Sequence, residues 1–472
     1  MPLSPSDQQH WELEQTVINA ARVAQPELFE PVVKQPGDLL SRVGMSLLLS
    51  ERPSGYIKYS PLDFIVEEIR PDGGVVTVDG GSAEPEYPDG EGTIYADVVK
   101  VGISTLDAVE RIASALKIEI KKIGYAGIKD AVALTSQRVS IRGVTVAQVQ
   151  NCRIPNVLLR NIMERKGAIG VGNLMGNRFT LFIRTQHPVE ESAFVKQVET
   201  IRQHGIMNYY GVQRFGTPRF LAHVFGMYLL RGDFEGCVRA YFSKESEFEL
   251  PFFTHKRQLA GQYFGDWQKI KEIFAELPYS FRFELSMLEH LIKNPTDYLG
   301  AIHVVGQQAS MWVRAYASYI ANLLMTQTEE KGGTLPQELP LLLGQDLDVE
   351  RLYGTWLRAH GVEGYRKVIR ELKFVQVGKS PSIEPILKPV FHGCKIGPEG
   401  VIVSFDLQKG AYATTVLESL FDVVTGYPIP DWVRKTDVDT KRVLGTGDLS
   451  VVKEELADAI GKVMSKKESS EE

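Results

Sequence analysis

Residue types able to do chemistry gather in a few short stretches of this chain. Gly127-Ile-Lys129-Asp130 sets a carboxylate beside an ammonium, in a turn-like context between two apolar runs. A carboxylate close to a partly desolvated substrate can act as nucleophile or general base. The same Asp130 can also simply cap the element that follows. Asn208-Tyr-Tyr-Gly-Val-Gln-Arg-Phe-Gly216 combines adjacent aromatics, an arginine and an amide between glycines. Aromatic and guanidinium planes stack on unpaired bases; the alternative is a strand edge and turn with its aromatics in the core. Leu407–Thr415 reads as a loop entering a helix, whose first amides can bind an anion or be capped locally. Two glycine runs are decoys. Gly170-Val-Gly172-Asn-Leu-Met-Gly176 is spaced one residue too long for a dinucleotide fingerprint and precedes a strand pattern instead of a helix. Gly124–Asp130 lacks the spacing and the Ser/Thr of a phosphate-binding loop.

The elements that must position these residues are read from hydrophobic periodicity. Residues 56–70 alternate as a strand, with Phe64, Val66 and Glu68 on one side and Ile65 and Ile69 on the other. A Gly/Pro/acid-rich loop spans 81–92, TIYADVVKVG reads as a strand, and Ser104 or Thr105 caps a helix running to Leu116. Strand patterns recur at 137–142, 178–184 and 208–215. Helical spacing dominates 224–242, 283–293, 311–325 and 348–373. Strands return after about residue 385, and a helix follows at 411–424. Strands, then helices, then strands again predict an α+β chain with a mixed sheet and a helix-rich inserted domain. The divisions expected are an N-terminal extension at 1–50 with one or two short helices, a strand-rich first part at 51–217 and the insertion at 218–385. A C-terminal part of the same sheet follows at 386–460, then a disordered low-complexity tail at 461–472.

The 472 residues suggest about three domains. With 43% hydrophobic and 24% charged residues the composition is that of a globular protein. No stretch reads as a membrane span and the N-terminus has no leader pattern, so a cytoplasmic, membrane-free protein is expected. The scattered Cys152, Cys237 and Cys394 form no disulfide framework and no zinc cluster, which predicts a reducing compartment and no metal. The net charge of −6 argues against nucleic acid, but residues 101–184 carry 13 Lys and Arg against five Asp and Glu. A basic region on an acidic chain can neutralise phosphates, or can be a solvated face.

Taken together, these segments resemble the TruD family of tRNA pseudouridine synthases over most of residues 55–425. Gly127-Ile-Lys129-Asp130-Ala-Val-Ala133-Leu-Thr135-Ser-Gln137 matches the family's G-x-K-D-x-x-A-x-T-x-Q, and Asp63–Glu68 preceded by Lys58 matches its N-terminal strand. Gly176-Asn177-Arg178-Phe179 matches its G-N-x-F. Asn208-Tyr209-Tyr210-Gly211-Val212-Gln213-Arg214-Phe215-Gly216 matches N-Y-[FY]-G-x-Q-R-F-G, and Gly410, Tyr412, Ala413 and Thr414 match its C-terminal motif. The chain departs from the pattern at Gln408-Lys409, where the family usually has two prolines, and at Ala131-Val132, where many members carry basic residues.

The resemblance implies a mostly antiparallel catalytic sheet with flanking helices, and isomerisation of a uridine in tRNA, typically position 13 of the D arm. It implies no cofactor and no metal. Asp130 stands at the catalytic aspartate. Lys58 is the cation expected to keep it ionised, with Glu68 expected to hold Lys58. Phe64, Phe179 and Tyr412 match aromatics of the uridine pocket, and Asn177 can pair with a uracil edge or a ribose hydroxyl. Lys129, Arg178, Asn208, Tyr209, Gln213 and Arg214 are the expected RNA contacts, Lys129 meeting phosphate. A monomer is expected. A catalytically silent tRNA-binding protein and a nucleotide-dependent oxidoreductase are the rival classes; Asp130 argues against the first and the glycine spacing against the second.

Overall fold

The structure, a computed structural model, describes residues 5–30, 36–46, 52–81, 92–344, 348–375, 382–426 and 429–468. The chain divides into two units. One comprises Leu49–Ile206 with Leu387–Glu472, the other Pro2–Leu48 with Met207–Ile386.

The first unit is built on a ten-stranded sheet. Its strands are β1 (Ser54–Tyr56), β2 (Phe64–Ile69), β3 (Thr93–Val101), β4 (Ile123–Tyr125) and β5 (Leu134–Arg142). They continue with β6 (Val157–Arg165), β7 (Gly176–Thr185), β8 (Val390–Gly397), β9 (Gly400–Gln408) and β10 (Asp422–Val424). The order is β8-β9-β7-β2-β5-β3-β6, with β1 joining β10 to β7 and β4 paired on β5. Only β2–β5 and β1–β10 run parallel; the other pairs are antiparallel.

Period-two alternation explains the layers. Phe179, Leu181 and Ile183 of β7 and Val401, Val403 and Phe405 of β9 share one face. They pack with Phe194, Val198 and Ile201 of α1 (Glu191–His204) and with Val416, Leu417 and Leu420 of α2 (Ala413–Leu420). On β3, Ile94, Ala96 and Val98 face one cluster, whereas Val99 and Val101 face another that holds Leu449, Val452, Leu456 and Ala459 from the C-terminal segment.

That segment departs from the expected tail. A helix, α3, runs Ala457–Glu468, through most of the stretch read as disordered. Its inner face is apolar in register. Ala459 is buried, Ile460 packs on the same cluster, and Met464 reaches the cluster of Tyr56, Tyr59, Ile429 and Val433. The acidic loop at 81–92 lies almost wholly outside the described residues. The helix expected at 411–424 ends at Leu420, because Asp422–Val424 pairs in parallel with β1.

The second unit is helical around the 25-residue helix Gly306–Glu330. Helix Ala222–Arg231 lies so close to it that a Cβ on Gly226 would sit 2.1 Å from the Trp312 carbonyl oxygen. The unit begins at Met207, ahead of the boundary drawn at 218, and takes in the N-terminal helices Pro5–Ala24 and Pro36–Arg42. The strand expected at 208–215 is a correction. Only Ile206–Met207 is extended, and Val212–Phe215 forms a 3-10 turn between Gly211 and Gly216. The Tyr210 N–H bonds the Asn322 side chain, not a neighbouring strand. No helix among the described residues is long and apolar enough to cross a membrane.

Candidate active site

Asp130 sits in the loop between β4 and β5, and the sheet together with the start of helix Thr105–Leu116 fixes that loop at four points. The Gln137 side-chain amide donates to the Gly127 carbonyl at 3.0 Å. The Lys129 N–H donates to Thr105 Oγ1 at 2.9 Å, and that hydroxyl in turn donates to Gln137 Oε1 at 2.9 Å. Lys100 Nζ reaches the Asp130 carbonyl at 2.8 Å, and Lys129 Nζ pairs with Glu68 at 2.9 Å. Thr105 is free for this work because Ser104 is the N-cap of the helix Thr105–Leu116, in a reciprocal bond with Asp107.

The Asp130 carboxylate is left half-buried, facing Lys58. Lys58 Nζ bonds Oδ2, and the Val132 N–H donates to Oδ1 at 2.9 Å. Burial pushes the Asp130 pKa up, but the Lys58 charge and hydrogen bond, the Val132 amide and Lys100 together outweigh it, so the net shift is downward. The carboxylate is therefore ionised at neutral pH, as nucleophilic or general-base chemistry requires. Lys58 itself has left-handed backbone, φ 60°, which costs a non-glycine residue about 1 kcal/mol and sits where strain commonly serves a site. Its ammonium also lies 4.3 Å from the Phe64 ring centroid.

The ordering of these charges yields a pH prediction. In Lys58→Met the burial of Asp130 stays and the main charge opposing its effect goes, so the Asp130 pKa rises. The acid limb of a kcat/KM profile is then expected at higher pH than in the unaltered chain. A limb that does not move would show that Lys58 does not set the charge of Asp130.

The aromatics expected around the site are placed unequally. Phe64 and Phe179 meet edge to face, with centroids 6.4 Å apart, and Phe179 stacks on Phe405 at 5.7 Å. Both are core members, 4% and 7% exposed. Tyr412, at the N-cap of α2, is 55% exposed. Asn177, the second residue of β7, lies opposite Glu68 and Leu407, and its buried side-chain oxygen has no hydrogen-bond partner among the described residues.

Several expected contacts are corrected. Lys129 does not face phosphate. Alternation turns its side chain inward from Asp130, where it is 5% exposed and paired with Glu68. Glu68 accordingly holds Lys129, not Lys58; burial raises its pKa above the ordinary range despite that cation. Asn208 and Tyr209 are interior residues of the helical unit. Asn208 bonds the Glu384 and Pro385 backbone, and the Tyr209 hydroxyl meets Thr326 at 3.0 Å. Arg178 is part-exposed but forms a two-pronged pair with Asp406 at 2.7 and 2.9 Å. Gln213 is exposed, and the part-exposed Arg214 bonds Ser318 and lies 5.8 Å from the Tyr210 ring centroid. Lys100 was missed, although a lone lysine between valines in a strand is itself a signal. It is fully buried, and burial drives its pKa down to about 8 against the pull of Asp130.

The site thus sets an ionised aspartate, pinned over a mostly antiparallel sheet, beside a lysine whose ammonium lies over Phe64, an arrangement suited to carboxylate chemistry. The family model for tRNA pseudouridine synthase D (TruD) matches residues 42–340, and the chain belongs to this family. "Probable tRNA pseudouridine synthase D 1" of Methanocaldococcus jannaschii is 29% identical over 385 residues, 78% of this chain and 95% of the relative. "Probable tRNA pseudouridine synthase D" of Methanopyrus kandleri is 31% identical over 340 residues, 67% of this chain and 82% of the relative. A crystal structure of a Methanosarcina mazei chain, described as a tRNA pseudouridine synthase D, has the same fold. Its TM-score is 0.63 at 23% identity, covering 83% of this chain and 99% of that one.

Proposed function

We propose that this protein isomerises a uridine of tRNA, position 13 of the D arm, to pseudouridine, with Asp130 as the catalytic carboxylate. The observation that carries the reading is the Asp130–Lys58 pair, ionised and held at the edge of an apolar floor. The N1–C1′ bond breaks, C1′ rejoins at C5, and the C5 proton is replaced by one on N1, so no atom is gained or lost. A carboxylate serves this by attacking the sugar or base, or by removing a sugar proton. The uracil must leave its stack first, at a cost of a few kcal/mol. The exposed Tyr412 ring can then cover the flipped base, and Asn177, whose buried side-chain oxygen has no hydrogen-bond partner among the described residues, can pair with the uracil edge. Gln213 and Arg214 remain the candidates for RNA contact in the helical unit. Incubation of the purified protein with tRNA transcripts, followed by mapping of pseudouridine, tests the reading. One modified uridine in the D arm is expected, and no pseudouridine in any transcript would overturn it.

Phe64 and Phe179 join two effects. Their burial predicts that alanine costs about 3–5 kcal/mol of stability. A role in replacing the lost base stacking predicts a further ten- to hundredfold slower turnover of the folded fraction, from ~1–3 kcal/mol per stack. Leucine at either position is expected to be milder on both counts. Thermal melts and single-turnover rates on the same proteins separate the two effects. If the folded fraction of the alanine variants reacts at the wild-type rate, the phenylalanines are core residues alone.

A further inference from the structure

Beside Asp130 lies a cavity of about 1010 Å³ that Phe64, Asn177, Phe179 and Tyr412, the proposed uridine contacts, do not line. It touches the site directly. Lys58 is in its wall, and so are Ala131 and Val132, which follow Asp130 in the chain. The far wall is α3, through Ala459, Lys462, Val463 and Ser465. This helix lies beyond the stretch matched by the family model, which ends at residue 340.

The wall is a fixed part of the unit. Lys441, just ahead of it, is buried and pairs with Glu67 at 2.7 Å and Asp79 at 3.2 Å. Arg184, equally buried, grips Asp63 at 2.8 and 2.9 Å and also bonds the backbone of Arg434 and Thr436. At Gly102, which has φ +69°, the helix approaches so closely that a Cβ would lie 2.5 Å from Val463.

The chemistry of the lining is one-sided. Among the described lining residues the charged side chains are Lys58, Arg111 and Lys462, and none of those described carries a carboxylate. Arg111 uses Nη1 to bond the Pro155 carbonyl at 3.1 Å and Asn156 Oδ1 at 3.3 Å, which fixes the guanidinium at the rim. Between these cations the surface is mostly apolar, from Ile103, Val132, Pro155 and Val463, with Asn156, Thr425 and Ser465 adding polar groups. Flat apolar walls with cations at the rim suit a nucleobase carrying a phosphate, and the volume is at the upper end of ordinary ligand sites.

We propose that this cavity receives a second, unstacked nucleotide of the RNA, the one adjoining the reacting uridine. Its base lies against the apolar wall and its phosphate meets Arg111 and Lys462. The inference rests on the tRNA-isomerase reading above and adds a flanking-nucleotide site built by the C-terminal helix.

The test uses the full-length protein and tRNA transcripts that are either complete or abasic at one of the two nucleotides adjoining the target. For the unaltered protein, one of the two abasic transcripts is expected to bind about tenfold more weakly, the worth of a base no longer buried against the apolar wall. Ala131→Trp, which fills the cavity, should abolish that difference between transcripts. In Arg111→Ala/Lys462→Ala the slope of log K against log salt should fall by about one, for the single phosphate that the two cations share. Thermal melts check that the variants are folded. An unchanged salt slope in the double variant, or an abasic penalty that survives in Ala131→Trp, would overturn the site. A protein that makes pseudouridine while these binding differences are absent keeps the activity and loses the site. One that shows the differences but forms no pseudouridine keeps the site and loses the activity.

Discussion

Asp130→Asn is expected to abolish pseudouridine formation, by about 10⁴-fold or more, while tRNA affinity stays within a few-fold. The carboxamide keeps the shape and accepts the Val132 N–H, so the loop remains pinned by Gln137, Thr105, Lys100 and Glu68. It loses the negative charge that either route at the sugar needs, and loss of an essential nucleophile or base has effects of this size. Affinity survives because phosphate contacts supply most of it. Single-turnover rates and filter binding on one preparation measure both quantities. Substantial turnover by the purified variant would remove Asp130 from the chemistry.

The second large effect is on folding. In Lys129→Met, Glu68 is left 2% exposed with no cation, and breaking a buried pair from one side typically costs about 3–5 kcal/mol. The loss is expected to grow with pH. The folded Glu68 pKa is already raised by burial, and removing Lys129 raises it further. Between the unfolded and folded values the folded state then binds more protons than the unfolded one. Stability is fully present below the unfolded pKa and is lost as pH rises through the folded pKa. The double variant Lys129→Met/Glu68→Leu should recover most of the stability, since an apolar pair of similar volume avoids the desolvation cost. Denaturant melts at two pH values give the answer. If Lys129→Met melts like the wild type but binds tRNA more weakly, Lys129 is an RNA contact after all and the pair is incidental.

The basic stretch at 101–184 shows how a sequence signal can be sound and still mislead. Its 13 cations against five acids pointed to phosphate. In the fold, Lys129, Arg138 and Arg184 are spent in the interior on Glu68, Asp97 and Asp63, acids supplied by strands and turns outside the stretch. Arg160 and Arg178 are likewise paired, with Glu455 and Asp406. Charge counted along a chain says nothing about partners that arrive from elsewhere in the sequence. Asn208 and Tyr209 make the same point for polar and aromatic groups. Their types suit RNA, but their hydrogen bonds go to residues more than a hundred positions away.

What the sequence determined by itself was local. The alternation of β2, β3 and β7, the helical spacing in the middle of the chain and the turn carrying Gly127–Asp130 follow from side-chain periodicity and residue type, and so does the order of motifs that marks the family. The tertiary structure alone decided what those elements meet. It set Lys58 in left-handed backbone against Asp130, although 72 residues separate them. It placed Lys100 beneath the loop, turned Lys129 inward and folded the C-terminal segment back as a wall beside the site. Each of these depends on sheet register and on long-range burial. Both are settled by the packing of the whole unit, because a side chain's partner and its desolvation cost exist only once distant strands have come together.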